Sequence, residues 1–181
     1  MPILRTSLIA SAAALLAGVA IVAATQASGN AAPTAPVQPA YSGIATLSGF
    51  VNLPPSSWTS TPLEVRLPRS GTYAIDANVR GRLQGTPSLN TYITARLWNV
   101  TADAEVAGSE RIVNQLIDYN SSTAAIGSNQ TAPISELITV TRPTTIQLQA
   151  EDVSGVGTTA IAQIASDDSG YTTLRYLRVT P

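Results

Sequence analysis

The stretch TYAIDANVRGRLQ, residues 72–84, decides how the rest of the chain is read. Tyr73, Ile75, Ala77, Val79 and Leu83 fall on one parity, and Asp76, Asn78, Arg80, Arg82 and Gln84 on the other. A period of two with one apolar and one polar side is the mark of a half-buried β-strand, because successive side chains leave a strand on opposite faces. Just upstream, Leu63, Val65 and Leu67 alternate with Glu64 and Arg66, and Pro68, Ser70 and Gly71 then supply a turn.

The pattern repeats downstream. Residues 91–100, 110–119, 134–141, 144–150, 158–165 and 171–180 read as strands, and residues 44–53 as a first one. Residues 103–108, 120–133, 142–143, 152–157 and 167–170 are rich in Gly, Pro, Asn and Asp and read as connections. The expected fold is all-β, an antiparallel jelly-roll-type sandwich of about 8–10 strands, nine by this count. No helical window competes.

The residues ahead of it divide in two. Arg5 is followed by LIASAAALLAGVAIVAA, residues 8–24, the layout of a secretory signal. Small residues allow cleavage after Ala24 or Ala27, and Ala27 is favoured, so residues 1–27 read as a signal peptide and the protein as secreted. An uncleaved anchor is the alternative. The seventeen residues fall short of the roughly 20 that span a bilayer, and many are alanine, so no stable membrane insertion is expected after cleavage. Residues 28–43 hold three prolines and no charge and read as a flexible leader, leaving residues 44–181 as the sandwich domain.

Composition removes whole classes of chemistry. Among 181 residues there is no cysteine, no histidine and no lysine, so all ten basic residues are arginine against eleven carboxylates. Thiol nucleophile, imidazole base, Schiff-base amine and the usual zinc ligands are missing together. A cysteine-free exported chain must hold its fold by packing alone. Only 12% of the residues are charged, with a net charge of −1, which excludes a basic nucleic-acid surface. The arginine-only, alanine-rich vocabulary suits a bacterial protein of high-GC coding.

The runs GTYAIDANVRGRL, YITARLWNVTADAEVAGSERI, RPTTIQLQAEDVSG and DDSGYTTLRYLRVTP resemble, in their order, the tumour-necrosis-factor-like jelly roll of complement globular heads and their bacterial and phage-fibre relatives. The matching positions are residues 71–83, 144–150 and 170–179, within a likeness that covers about residues 44–181. The resemblance implies extracellular recognition and a homotrimer, and it implies no activity. The Gly-x-y stalk of the complement proteins is missing here.

The candidate sites are few. Glu151-Asp152 and Asp167-Asp168 are the adjacent acidic pairs, but a strand separates them, about 25 Å at 3.3 Å per residue. Each pair therefore reads as a solvated turn, with no metal or other cofactor expected. Trp58, in the loop LPPSSWTSTP, reads either as a cap on the core or as an anchor for an extracellular protein or glycan. Residues 112–117 and 174–179 carry large apolar groups on both parities, so one face of each needs a cover, and Leu174 and Tyr176 are candidate contact residues. The function expected is a non-catalytic binding or assembly module. A carboxylate-dependent hydrolase and a structural surface or fibre component are the alternatives.

Cleavage at these positions predicts that the mature chain starts between Thr25 and Asn30. Intact-mass spectrometry of the exported protein measures this, and recovery only from membranes with residues 1–24 attached would contradict it.

Overall fold

The computed structural model describes residues 41–180. The expected signal peptide, and the leader as far as residue 40, lie outside the described residues. Eleven strands follow: β1 (Ser42–Thr46), β2 (Val51–Asn52), β3 (Thr59–Leu67), β4 (Gly71–Gly85), β5 (Leu89–Asn99), β6 (Ala104–Glu105), β7 (Arg111–Asp118), β8 (Ile126–Val140), β9 (Thr144–Val156), β10 (Thr159–Ile164) and β11 (Thr173–Thr180). β2 and β6 are two-residue ladders, so nine strands carry the architecture.

All strand pairing is antiparallel, in two sheets. Sheet A runs β8, β4, β11, β1, with β10 and β2 continuing the line of β11 and β1 along the second half of β4. Sheet B runs β3, β9, β5, β7, with β6 on the far end of β5. The pairs are nested: β5 with β7, β4 with β8, β3 with β9, and β1 with β11. A long hairpin rolled over on itself gives that order, so the sandwich is a jelly roll.

The alternation in residues 72–84 is what the packing requires. Tyr73, Ile75, Val79 and Leu83 of β4 lie in the core with Ile134 and Leu174 of the same sheet. Opposite them stand Leu63, Val65 and Leu67 of β3, Ile93 and Leu97 of β5, and Ile146 and Leu148 of β9. Tyr176 packs edge-on against Tyr73 with ring centres 5.9 Å apart. A Cβ at Gly43, the cross-strand neighbour of Tyr176, would come within 2.6 Å of that ring, so the glycine makes room for it.

One flank is closed by a buried amide. β7 carries a bulge: Asn114 stands opposite Ile93 but Ile112 opposite Thr94, which leaves Val113 as the extra residue. The bulge turns both Val113 and Asn114 inward. Asn114 Nδ2 donates to the carbonyls of Gly81 in β4 and Ser128 in β8, each at 3.0 Å, and Ser128 Oγ donates back to Asn114 Oδ1 at 3.0 Å. An edge strand of sheet B is thereby bolted to two strands of sheet A. A Cβ at Gly81 would lie 3.0 Å from Val113 Cγ1 and 3.1 Å from Asn114 Cβ, so this approach needs a small residue there.

Several boundaries depart from the sequence reading. Residues 59–62, expected in the loop that holds Trp58, open β3, and residues 104–105, expected in a connection, form β6. Residues 44–53 are not one strand: β1 starts at Ser42, the chain turns near Gly49 at φ 80, and β2 changes partner from β11 to β10. Residues 126–133, expected as part of a loop, are the first half of β8 and pair with residues 78–85 of β4. This polar run extends because β4 offers it an open backbone edge, and Pro133 is tolerated there because β8 is itself an edge strand. Residues 152–156, expected as a connection, continue β9 and pair with β5.

Replacing Asn114 by alanine strands the buried Gly81 carbonyl and the partly buried carbonyl and hydroxyl of Ser128, and should cost about 1–3 kcal/mol in urea unfolding. Gln115→Ala, at an exposed neighbour on the same strand, should stay within about 0.5 kcal/mol.

Candidate functional site

The outward face of sheet A is built row by row from strand register. Leu137 of β8, Ala74 of β4, Leu177 of β11 and Ser42 of β1 stand side by side. The next row is Ser135, Asp76, Arg175 and Ile44, and the third is Pro133, Asn78, Thr173 and Thr46. Ile44 is 68% exposed, Leu137 66%, Leu177 47% and Val179 46%. An open depression of about 610 Å³ lies here, lined by Gly43, Ile44, Ala74, Asp76, Arg175 and Leu177 among others. The charges in these rows are opposite and adjacent: Arg175 Nε donates to Asp76 Oδ2 at 3.2 Å, and Ser135 Oγ donates to Asp76 Oδ1 at 2.7 Å.

Two of the candidate contact residues do not reach this surface. Leu174 is fully buried, opposite Ala77 of β4, and Tyr176 is half-buried, opposite Ile75, on the same inward side. β11 lies between β1 and β4, so its inward parity is core, and the apolar groups open to a partner are Leu177 and Val179. Leu137 was not singled out from sequence. Its signal is legible in ISELITVT, where it stands on the parity of Ser135 and Thr139.

Trp58 is held against sheet B. The Arg96 guanidinium lies 3.8 Å from the Trp58 ring centre and 4.6 Å from that of Trp98, so it stacks on both indoles. Arg96 Nε and Nη2 donate to Gln149 Oε1 at 3.1 and 3.0 Å, and Nη1 reaches Glu105 Oε2 at 3.4 Å. Gln149 Nε2 in turn donates to Ser60 Oγ at 3.1 Å. Trp58 is half-buried and fixed by this cluster at the start of β3, which fits a cap on the sheet better than a free anchor.

The acidic pairs are not both solvated turns. Asp152 is fully buried within β9, accepting from Thr91 Oγ1 at 3.1 Å and Thr159 Oγ1 at 2.5 Å. It continues the inward parity of Ile146, Leu148 and Ala150, and the charge masked that continuity in the sequence. Asp167 sits in a tight turn with Gly170, where the Ser169 backbone N–H and the Arg80 guanidinium hold its carboxyl below the usual carboxylate range. Among the described residues no three Asp or Glu side chains converge as metal ligands would.

No family model matches the sequence, and no curated protein matches it. Among solved structures, the Eiger TNF of S. frugiperda aligns over 78% of this chain and 94% of its own, with 12% identity and a TM-score of 0.47. The infectious bursal disease virus VP2 subviral particle aligns over 83% of this chain and 42% of that one, with 11% identity and a TM-score of 0.41. A structure of the Gt strain of the same virus gives 13% identity over 77% of this chain and 38% of that one, with a TM-score of 0.41. The strand order is that of a jelly roll. The chain spans less than half the length of the viral chains.

Both tryptophans of the protein belong to the Arg96 stack, so fluorescence reports on it alone. Arg96→Ala should shift the emission to the red, raise acrylamide quenching, and lower stability by about 1–2 kcal/mol. An unchanged spectrum would mean that the guanidinium does not hold Trp58.

Proposed function

We propose that the protein is an exported, non-catalytic binding or assembly module, and that its working surface is the outward face of sheet A. The observation that carries this reading is the exposure of Ile44, Leu137, Leu177 and Val179 on neighbouring strands of one sheet. Monomeric proteins rarely leave extended apolar patches in water, and such patches on a rigid sheet serve as contacts. The side chains there are aliphatic, whereas sugar platforms are typically aromatic, so the surface suits a protein partner better than a glycan.

The remaining chemistry supports a binding role. Asp76, Glu105, Glu136 and Asp167 are paired with arginines, and Asp152 is enclosed by threonine hydroxyls. Hydrolysis by two carboxylates needs a pair about 5–10 Å apart flanking a substrate. These five carboxylates are already engaged by arginines or threonine hydroxyls. The apolar segment of residues 8–24 supports export.

The test is affinity capture from spent medium and cell envelopes, comparing the wild-type chain with a Leu137→Glu, Leu177→Glu variant and with Trp58→Ala. Both face substitutions are at exposed positions, so circular dichroism should be unchanged. The face variant should lose a partner that wild type and Trp58→Ala retain. Equal capture by all three would remove the face of sheet A as the working surface.

A further inference from the structure

We propose that the partner of this face is a second copy of the chain, bound face to face about a two-fold axis that runs along the strands between β4 and β11. The inference rests on the reading of that face as the working surface and adds the identity of its occupant.

A two-fold axis in the contact plane between β4 and β11 carries each β4 residue over its cross-strand neighbour on β11, and β8 over β1. The register then brings Leu177 of one copy over Ala74 of the other, Leu137 over Ser42, and Ile44 over Ser135. In all three cases a large aliphatic group meets a small residue, as interdigitating sheets require. The same operation places Asp76 of one copy over Arg175 of the other, and the reverse, so the charged groups of the patch are satisfied across the contact as well as within each chain.

Other positions of the axis fail on the same residues. An axis along β4 puts Asp76 on Asp76 and Leu137 on Leu177. An axis along β11 puts Arg175 on Arg175 and Ile44 on Asp76. An axis across the strands at the Asp76–Arg175 row sets each charge on its own kind. Like charges brought together out of water repel strongly, so of these four arrangements the first alone is complementary in both size and charge.

Four strands at about 4.8 Å and seven residues at about 3.3 Å outline on the order of 400 Å² of face per copy, about 800 Å² for the pair, below the roughly 1,200 Å² of a stable complex. The dimer is therefore expected to be weak and reversible, and to be populated only at high protein concentration.

The experiment is sedimentation equilibrium of the full chain up to about 1 mM. Wild type should fit a monomer–dimer equilibrium. Asp76→Arg, at a half-buried side chain on the outward face, and Arg175→Asp, at an exposed one, give faces that repel their own copies, and each should associate at least about tenfold more weakly. An equimolar mixture of these two variants should recover association, because one face is then all basic and the other all acidic. Circular dichroism confirms that both are folded.

A monomer throughout the range, a trimer, or self-association of either variant equal to wild type would overturn the proposal. In the monomer case the capture experiment separates the two readings. If the Leu137→Glu, Leu177→Glu variant loses another protein that wild type retains, the face remains a binding surface and only the second copy is ruled out. If it loses nothing, both readings fall.

Discussion

The Asn114 amide is the constraint on which the rest of the sandwich depends. A β-sheet presents edges, and two stacked sheets are held mainly by non-directional packing of their inner faces. At the flank where β7 meets β4 and β8, the bulge at Val113 turns a polar side chain into the core, and three hydrogen bonds fix how one sheet sits on the other. The bonds require Gly81 on one side and Ser128 on the other. Ser128 lies in the half of β8 with the least apolar sequence, so the bolt also helps to keep that segment paired with β4. The outward rows of sheet A inherit their alignment from this pairing.

Much of the fold was legible because burial alternates along most of each strand. The apolar parity of residues 72–84 is the core face, although Arg80 on the polar parity is buried too, and the nine principal strands were each found at least in part. What the pattern missed are places where backbone pairing overrides side-chain character. Residues 126–133 have no apolar alternation, yet an open edge of β4 makes them a strand. Asp152 looks like a turn residue, yet its parity places it in the core with Thr91 and Thr159 as donors. The site was only half legible. Residues 174–179 show apolar groups on both parities, but which parity is core depends on β11 lying between β1 and β4, and register across the sheet is a tertiary fact.

The absence of lysine has a structural counterpart. Arg96 shows what a guanidinium offers that an ammonium does not: a plane that stacks on two indoles while its edge donates to Gln149 and Glu105. Arg80 plays a similar part at the other sheet, joining Asp167 and the Gly170 carbonyl in the turn before β11. A chain without disulfides thus fixes loops to sheets with planar, multiply bonded cations.

Pro133 has a consequence for how this molecule can associate. β8 is a fifteen-residue edge strand, the kind of open ladder along which foreign strands add without limit. A proline near its middle withholds a donor from the free side, and the residues before it are polar and largely exposed. Growth by strand addition would produce filaments, because each added strand offers a fresh edge. Contact through a face uses that face up. Pro133 thus works against growth by strand addition along β8, while the apolar face of the same sheet stays open to contact.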